Sequence, residues 1–164
     1  MRQEIGRNRS GLRYGYTTGS CAAAASKAAA AMLLGKEEIT HVKLMTPKGI
    51  ELYLEVESTV RTADYVQCAV SKYSGDDPDV TDGMKVYARV EKSELFLGKE
   101  EDTARCFEIG ERLILAGGEG VGRVTKAGLE QKEGFPAINK IPRKMIAEAV
   151  EEECEKYQYN GKIK

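Results

Sequence analysis

Residues 14–31 read YGYTTGSCAAAASKAAAA, and this stretch decides the N-terminal half of the fold. Alanine has the highest helix propensity, and Met-Leu-Leu follows the run, so we predict a helix over Ser20–Leu34. Thr18 or Ser20 can cap its N-terminus, and Gly35 stands where a helix-terminating glycine belongs. A helix with so little side-chain volume lets neighbouring backbone approach closely. The glycines and hydroxyl residues in front of it form either a cap alone or a binding loop.

The 164 residues include 25 basic and 26 acidic side chains, which give a formal net charge of −1. Such a balance does not favour nucleic-acid binding. No apolar run approaches the roughly 20 residues needed to span a bilayer, so we expect no membrane association. Four scattered cysteines and a single histidine, His41, form no metal-binding pattern. We therefore expect a cytoplasmic protein with reduced thiols and no protein-bound metal.

Beyond the first helix, the sequence alternates between strand patterns and ends in a helix pattern. Ile39–Met45 and Ile50–Val56 alternate apolar and polar residues around the turn Thr46-Pro47-Lys48-Gly49, which predicts a β-hairpin. Further strands are predicted over 63–72, 84–97 and 112–116, and an amphipathic helix over Arg143–Tyr157. The predicted fold is α+β, with a hairpin-rich mixed or antiparallel sheet packed against an alanine-rich N-terminal helix and an amphipathic C-terminal helix.

The loop in front of the first helix is the first of three candidate binding loops. Gly15 and Gly19 bracket the hydroxyl residues Thr17 and Thr18, and Ser20 follows. A helix N-terminus offers free backbone N–H groups and a partial positive charge, which together suit an anion. Simple capping of the helix is the alternative interpretation.

The second loop, residues 72–83, reads KYSGDDPDVTDG and holds four aspartates in seven residues. Their charges repel each other unless they are solvated, bonded to backbone N–H groups or bound to a cation. The spacing does not fit an EF-hand, because position six counted from Asp77 is Asp82 and position twelve is Ala88. Turn chemistry explains one or two of the aspartates, which leaves a polar-ligand or general-base role open for another.

The third loop, residues 115–125, reads LAGGEGVGRVT and follows a predicted strand. It fits neither standard phosphate-binding pattern, since no G-x-G-x-x-G register is present and Arg123 and Val124 stand where a Walker motif needs Lys and Ser or Thr. Four glycines in six residues still indicate a sharp bend or a close approach to the backbone. The spacing alone is weak evidence for a nucleotide site.

Four strings in these loops resemble, in order, the CbiD family of cobalt-precorrin-5B C(1)-methyltransferases, which act in anaerobic cobalamin biosynthesis. They are GYTTGSCAAAA at 15–25, GDDPDVT at 75–81, GEGVGRVT at 118–125, and PAIN at 136–139 with Pro142-Arg143. The sequence departs from the family pattern at Asp82, where the family commonly has His, and at Lys140, which stands between Asn139 and the Pro-Arg pair.

The resemblance also implies a domain organisation. Residues 13–158 resemble the N-terminal domain of the family, and residues 1–12 form a basic arm that we expect to be flexible. The family's second half is expected to be a Rossmann-like cofactor-binding domain, and we find no counterpart of it in these 164 residues.

By this resemblance, the protein is a C-methyltransferase that transfers a methyl group from S-adenosylmethionine to a ring carbon of a cobalt-corrin precursor. The carboxylates of such a substrate imply side chains that donate hydrogen bonds to them. The candidates are Thr17, Thr18, Ser20, Lys72, Asn139 and Arg143, and Arg123 could also supply such a donor. Asp77 and Asp79 are the candidate catalytic residues, one of which would accept the proton released on methylation. The candidates for cofactor contact are Gly118, Gly120, Gly122 and Thr125.

The alternative is a non-catalytic corrinoid-binding or assembly half that works with a separate methyltransferase chain. A third interpretation is a small α+β protein that keeps these loops for folding only. Binding of S-adenosylmethionine by this chain alone discriminates between the first two.

Overall fold

The computed structural model describes residues 6, 15–76, 80–93, 106–126, 128 and 130–164. Within these ranges the chain forms helices α1 (Thr18–Gly35) and α2 (Lys140–Lys156). Most of the strands lie between these two helices in the sequence. The strands are β1 (His41–Met45), β2 (Glu51–Glu55), β3 (Glu57–Arg61), β4 (Tyr65–Ser71), β5 (Lys85–Ser93), β6 (Phe107–Ile109), β7 (Leu113–Leu115) and β8 (Lys162–Ile163).

The strands form two sheets. β1 and β2 are an antiparallel pair, and the other six strands lie in the order β3-β4-β5-β8-β7-β6. In this larger sheet β7 and β8 are parallel, whereas the remaining neighbours are antiparallel. The predicted α+β class with a hairpin-rich mixed sheet is confirmed.

The β1–β2 hairpin follows its sequence pattern closely. Its inward side chains are buried at Val42, Leu44, Leu52 and Leu54. The Gly49 N–H donates to the Thr46 carbonyl at 2.9 Å, and Gly49 has a φ of 79°, which favours glycine. The turn is therefore the one that the sequence predicts.

Helix α1 is longer than predicted, and both of its predicted caps are wrong. Thr17 is the N-cap, because its side chain accepts the N–H of Ser20. At the other end Lys36 adopts the left-handed conformation, with φ 62°, while Gly35 is still helical. Gly35 has a different role, since it leaves room for the Tyr157 ring, which a β-carbon in the present arrangement would approach to 2.5 Å.

Alanine makes α1 the centre of the core. Residues 23–25 and 28–30 are fully buried between the larger sheet and α2. On the sheet side, the thiol of Cys68 donates to the Ala25 carbonyl at 3.1 Å. On the other side, Gly19 lies against Pro142, and Gly35 lies against Tyr157. The two helices are therefore parallel, with both N-termini at the same end of the molecule.

Helix α2 begins three residues before the predicted start, and Pro142 in its first turn is compatible with that position. The predicted apolar face is confirmed by the burial of Ile146, Ala149, Val150 and Cys154. Glu153 is buried as well, which the sequence did not indicate.

The prediction of a strand over 84–97 is confirmed for Lys85–Ser93, and 94–97 lie outside the described residues. Strands β3, β6 and β8 were not predicted, because they are short or lack apolar alternation. β8 adds residues 162–163 to the larger sheet, beyond the predicted domain end at 158. Of the predicted basic arm, the structure describes only residue 6, so the arm and the domain limits stay predictions.

Candidate functional site

The loop in front of α1 and the aspartate-rich loop form one unit. The Tyr16 N–H donates to the Tyr73 carbonyl at 2.5 Å, and the two rings meet edge to face with centroids 5.8 Å apart. Gly15 packs directly on the backbone of residues 73–75, where any β-carbon would overlap the Tyr73 carbonyl oxygen. Gly15 is therefore required for contact between the two loops.

The aspartate-rich loop is closed by its own hydrogen bonds. The Gly83 N–H donates to the Lys72 carbonyl at 2.8 Å, and the Ser74 N–H donates to Asp82 Oδ1 at 2.8 Å. The Lys72 ammonium donates to Thr81 Oγ1 at 2.6 Å. Asp82 therefore bonds the backbone, as turn chemistry predicts for an aspartate. Asp77 and Asp79 lie outside the described residues, so their catalytic role stays a prediction.

The three hydroxyl groups at the start of α1 have different environments. Thr17 Oγ1 accepts the Ser20 N–H and donates to Ser20 Oγ, both at 3.0 Å. Ser20 is buried, whereas Thr17 and Thr18 are exposed. Thr17 and Ser20 bond each other, so Thr18 is the exposed hydroxyl of this turn that is not engaged in that pair.

Cys21 follows in the same turn and is fully buried. Burial raises the pKa of its thiol to about 12, and the nearby Lys72 ammonium opposes this only in part. The thiol is therefore protonated at neutral pH and is a poor nucleophile. Lys72 also lies close enough to the α1 N-terminus to add positive charge there.

The N-terminus of α2 is capped by a residue that lies well before the helix in the sequence. Asn139 occupies the N-cap position, but its Oδ1 accepts from Gln131 Nε2 at 2.8 Å and makes no cap hydrogen bond. Instead, Glu130 Oε1 accepts the Lys140 N–H at 2.6 Å and lies 3.8 Å from Arg143 Nη2. These roles of Glu130 and Gln131 were not predicted. Glutamate ten residues before a helix start is not a local capping signal, so only the fold reveals the contact.

The glycine-rich loop does not begin a helix. Ala137 N–H donates to the Gly122 carbonyl at 2.7 Å, and Val124 N–H donates to the Phe135 carbonyl at 2.9 Å. Arg123 Nη1 donates to the Gly134 carbonyl at 2.9 Å, so this guanidinium holds the backbone. The loop thus lies beside the segment that leads into α2. The candidates for cofactor contact here are all exposed, namely Gly118, Gly120, Gly122 and Thr125.

The fold brings most of the predicted site residues to one end of the helix pair. A β-carbon on Gly19 would stand 3.0 Å from Pro142, so the first turns of α1 and α2 touch. Thr17, Thr18, Ser20 and Lys72 belong to the α1 side, and Asn139 and Arg143 belong to the α2 side. The Arg143 guanidinium lies 4.3 Å from the centre of the Phe107 ring, which the sequence did not indicate as part of the site.

The two helix N-termini add positive partial charge to this end of the molecule, beside the carboxylates of Asp82 and Glu130. The first turns of α1 and α2 are fully described, and neither contains an acidic residue. Each helix N-terminus carries roughly half a positive charge, and parallel packing places the two side by side. Across the described ranges, no three His, Cys, Asp or Glu side chains are grouped closely enough to hold a metal ion. None of the helices described here is long and apolar enough to cross a membrane.

The described structure is an α+β domain with two parallel helices whose N-termini and adjoining loops form a polar site. A model of the CbiD family matches residues 5–164. The chain belongs to the CbiD family, so the resemblance seen in the sequence is confirmed.

Similar proteins agree with this assignment. A cobalt-precorrin-5B C(1)-methyltransferase of Ruminiclostridium cellulolyticum is 45% identical over 161 residues, which are 98% of this chain and 38% of the relative. One from a Thermoanaerobacter species is 48% identical over 139 residues, 85% of this chain and 34% of the relative. The crystal structure of the cobalamin biosynthesis protein CbiD from Archaeoglobus fulgidus superposes with a TM-score of 0.58 at 28% identity, covering 93% of this chain and 42% of that one. The chain thus spans between about a third and about two fifths of the length of these relatives.

Proposed function

We propose that this chain is the substrate-binding part of a cobalt-precorrin-5B C(1)-methyltransferase. In this reaction the methyl group of S-adenosylmethionine passes to a ring carbon of the cobalt-corrin precursor. The C–S bond breaks, a C–C bond forms, S-adenosylhomocysteine leaves and the ring system loses a proton. The observation that carries the proposal is the pair of helix N-termini that meet at Gly19 and Pro142.

The charge of this end suits the substrate. A corrin precursor carries several acetate and propionate carboxylates, and carboxylates bind favourably at helix N-termini and to arginine and lysine. Lys72 supports the α1 side, and Arg143 supports the α2 side. Glu130 already accepts the Lys140 N–H and offsets part of the charge of α2. The α1 side is therefore the stronger anion site, with the exposed Thr18 as its hydroxyl donor.

The same end also suits direct methyl transfer. No protein nucleophile is needed when an electron-rich ring carbon attacks a sulfonium, and the protein then mainly aligns the two reactants. The protonated thiol of Cys21 is consistent with such a role. In the proposal, Asp77 or Asp79 accepts the released proton, and the glycine-rich loop contacts the cofactor.

The test is a titration of the purified chain with uroporphyrin, a commercially obtainable tetrapyrrole with eight carboxylates. Lys72→Ala and Arg143→Ala should each weaken binding by roughly tenfold, as the loss of a charge-assisted hydrogen bond predicts. Lys144→Ala is the matched control, because this exposed lysine on α2 pairs with Glu148 at 3.8 Å instead. Equal affinity in all four proteins would contradict the proposal.

A second measurement addresses the methyl donor. Calorimetric titration of the chain with S-adenosylmethionine separates a protein that binds both reactants from a corrinoid-binding half that needs a separate methyltransferase chain. We expect binding, and we expect Gly120→Val in the glycine-rich loop to weaken it. Unchanged affinity in that variant would remove this loop from the proposal and leave the substrate site untouched.

A further inference from the structure

A cleft lies away from the helix N-termini. It has a volume of about 530 Å³ and opens between α1, β1 and the C-terminal half of α2. Its charged and titratable lining consists of Lys27, His41, Lys43, Glu51, Glu152, Glu153 and Lys156. Ala31, Val42 and Leu44 provide an apolar wall. None of the residues assigned to the methyl-transfer site lines this cleft.

Glu153 is the unusual group in this cleft. Its side chain is 5% exposed, and its Oε2 has no hydrogen-bond partner among the described residues. Buried polar atoms are almost always hydrogen-bonded, since an unpaired one loses its bonds to water without replacement. Burial accordingly raises the pKa of this carboxyl, against the opposing charges of Lys156 and Lys27. The buried Oε2 therefore lacks a donor, which a ligand in the cleft can supply when the side chain turns toward it.

The remaining charges of the cleft define that ligand. Lys27 Nζ lies 3.2 Å from Glu152 Oε1 and donates to the Lys43 carbonyl at 2.9 Å, and Lys43 Nζ lies 3.8 Å from Glu51 Oε1. Within the described part of the chain, Glu153 and Lys156 are left without an ion pair. They are three residues apart on α2 and therefore neighbours on one helix face, roughly 5–6 Å apart at their β-carbons.

We propose that this cleft binds the α-amino-acid head group of a small zwitterionic molecule. The ligand's ammonium donates to Glu153, its carboxylate accepts from Lys156, and its aliphatic part lies on Ala31 and Leu44. If Glu153 is protonated in the free protein, its proton passes to solvent as the ammonium binds. Such a head group occurs in free amino acids and in S-adenosylmethionine. Only the choice of S-adenosylmethionine as the ligand rests on the proposed function.

The test is a titration of the ¹⁵N-labelled chain followed by amide chemical shifts. The probes are L-methionine, S-adenosylhomocysteine and adenosine, which has no amino-acid group. L-methionine or S-adenosylhomocysteine should shift the amides of β1 and of residues 150–157, whereas adenosine should not. Glu153→Gln and Lys156→Ala should each weaken that binding by roughly tenfold. Glu155→Gln is the matched control, since this side chain on the same helix is exposed and does not line the cleft.

Each outcome is decisive. Absence of shifts with both amino-acid probes, equal affinity in the two variants, or shifts of the same amides by adenosine would overturn the proposal. Lys156 is exposed, so Lys156→Ala remains informative even if Glu153→Gln alters folding. Tighter binding of S-adenosylhomocysteine than of L-methionine identifies S-adenosylmethionine as the source, held at a site separate from the one where methyl transfer is proposed, and equal binding identifies a free amino acid. The uroporphyrin titration uses other residues, so either proposal can fail alone.

Discussion

The two ends of the α1–α2 pair are built alike but are charged differently. A glycine of α1 meets a ring at each end, Gly19 at Pro142 of α2 and Gly35 at Tyr157, which directly follows α2. At the C-terminal end, Arg61 Nη2 donates to the Met32 carbonyl at 2.8 Å and to the Glu37 carbonyl at 3.1 Å. The chain therefore supplies its own cation where the helix dipole is negative.

At the N-terminal end of α1 no charged side chain caps the helix directly. Its cap is the neutral hydroxyl of Thr17, no acidic residue stands in its first turn, and Lys72 adds positive charge nearby. A helix end whose charge is balanced within the chain has a structural explanation. One whose charge is left unbalanced is better suited to an external anion, so the difference between the ends favours the N-terminal end as the substrate site.

The largest expected effect follows from the close contact at this end. Gly15→Ala places a β-carbon on the backbone of residues 73–75, which cannot move aside as a flexible side chain can. We expect a loss of roughly 3 kcal/mol or more in the free energy of unfolding, measured by urea denaturation. Gly118→Ala is the control, because a β-carbon there meets nothing within 4 Å and should change stability by less than about 0.5 kcal/mol. If Gly15→Ala and Gly118→Ala lowered the free energy of unfolding equally, the close contact between the loop in front of α1 and the aspartate-rich loop would not be important for stability.

The next prediction concerns the Thr17 hydroxyl that caps α1, where we expect a smaller loss in the free energy of unfolding. Thr17→Ala removes the side-chain acceptor of the Ser20 N–H and should lower the free energy of unfolding by about 1 kcal/mol. Thr18→Ala should leave stability nearly unchanged, because Thr18 is exposed, but should weaken uroporphyrin binding. The reverse result, with stability lost at Thr18 and affinity unaffected, would reduce this loop to a cap.

Local sequence signals predicted the parts of the fold that local chemistry decides. Thr46-Pro47-Lys48-Gly49 predicted the hairpin because its proline and glycine specify the turn. The 3.6-residue period predicted which side of α2 is buried. The family strings indicated three candidate loops, and the fold brings the described parts of these loops to one end of the helix pair; that they carry the site stays a prediction.

Contacts between distant segments decided the features that were missed. Several hydroxyls compete for the cap of α1, and only the bend at Gly15–Tyr16 against Tyr73 leaves Thr17 in position. Gly35 is explained by a ring that arrives more than a hundred residues later along the chain. The capping of α2 by Glu130 depends in the same way on how the loop folds back. No short window of sequence contains these relations.

Glu153, near the C-terminal end of the helix pair, provides a substitution that should raise the free energy of unfolding, whereas the preceding ones lower it. Because the folded state raises the pKa of this carboxyl, it holds the proton to higher pH than the unfolded state does. Stability therefore falls as pH rises above the ordinary glutamate value of about 4.3. Glu153→Gln should raise the free energy of unfolding at pH 7 by roughly 1 kcal/mol or less, with the gain vanishing below about pH 4. Glu155→Gln should show no such pH dependence, and a loss of stability at pH 7 in Glu153→Gln would contradict the assignment.

The smallest expected effect concerns the thiols of Cys21 and Cys68. A helix N-terminus and a nearby lysine ordinarily lower the pKa of a cysteine, and Cys21 has both. Burial outweighs them and raises the pKa of each of these thiols to about 12. At pH 8 only about one molecule in ten thousand then carries either thiolate, against roughly a quarter for a free cysteine. Iodoacetamide should therefore leave Cys21 and Cys68 unmodified in the folded protein and alkylate both in guanidinium chloride, as mass spectrometry of peptides would show. Rapid alkylation of Cys21 in the folded protein would mean that solvent reaches behind Thr17 and Ser20. Water would then screen the charge of the α1 N-terminus, and the difference in charge between the two ends of the helix pair would disappear.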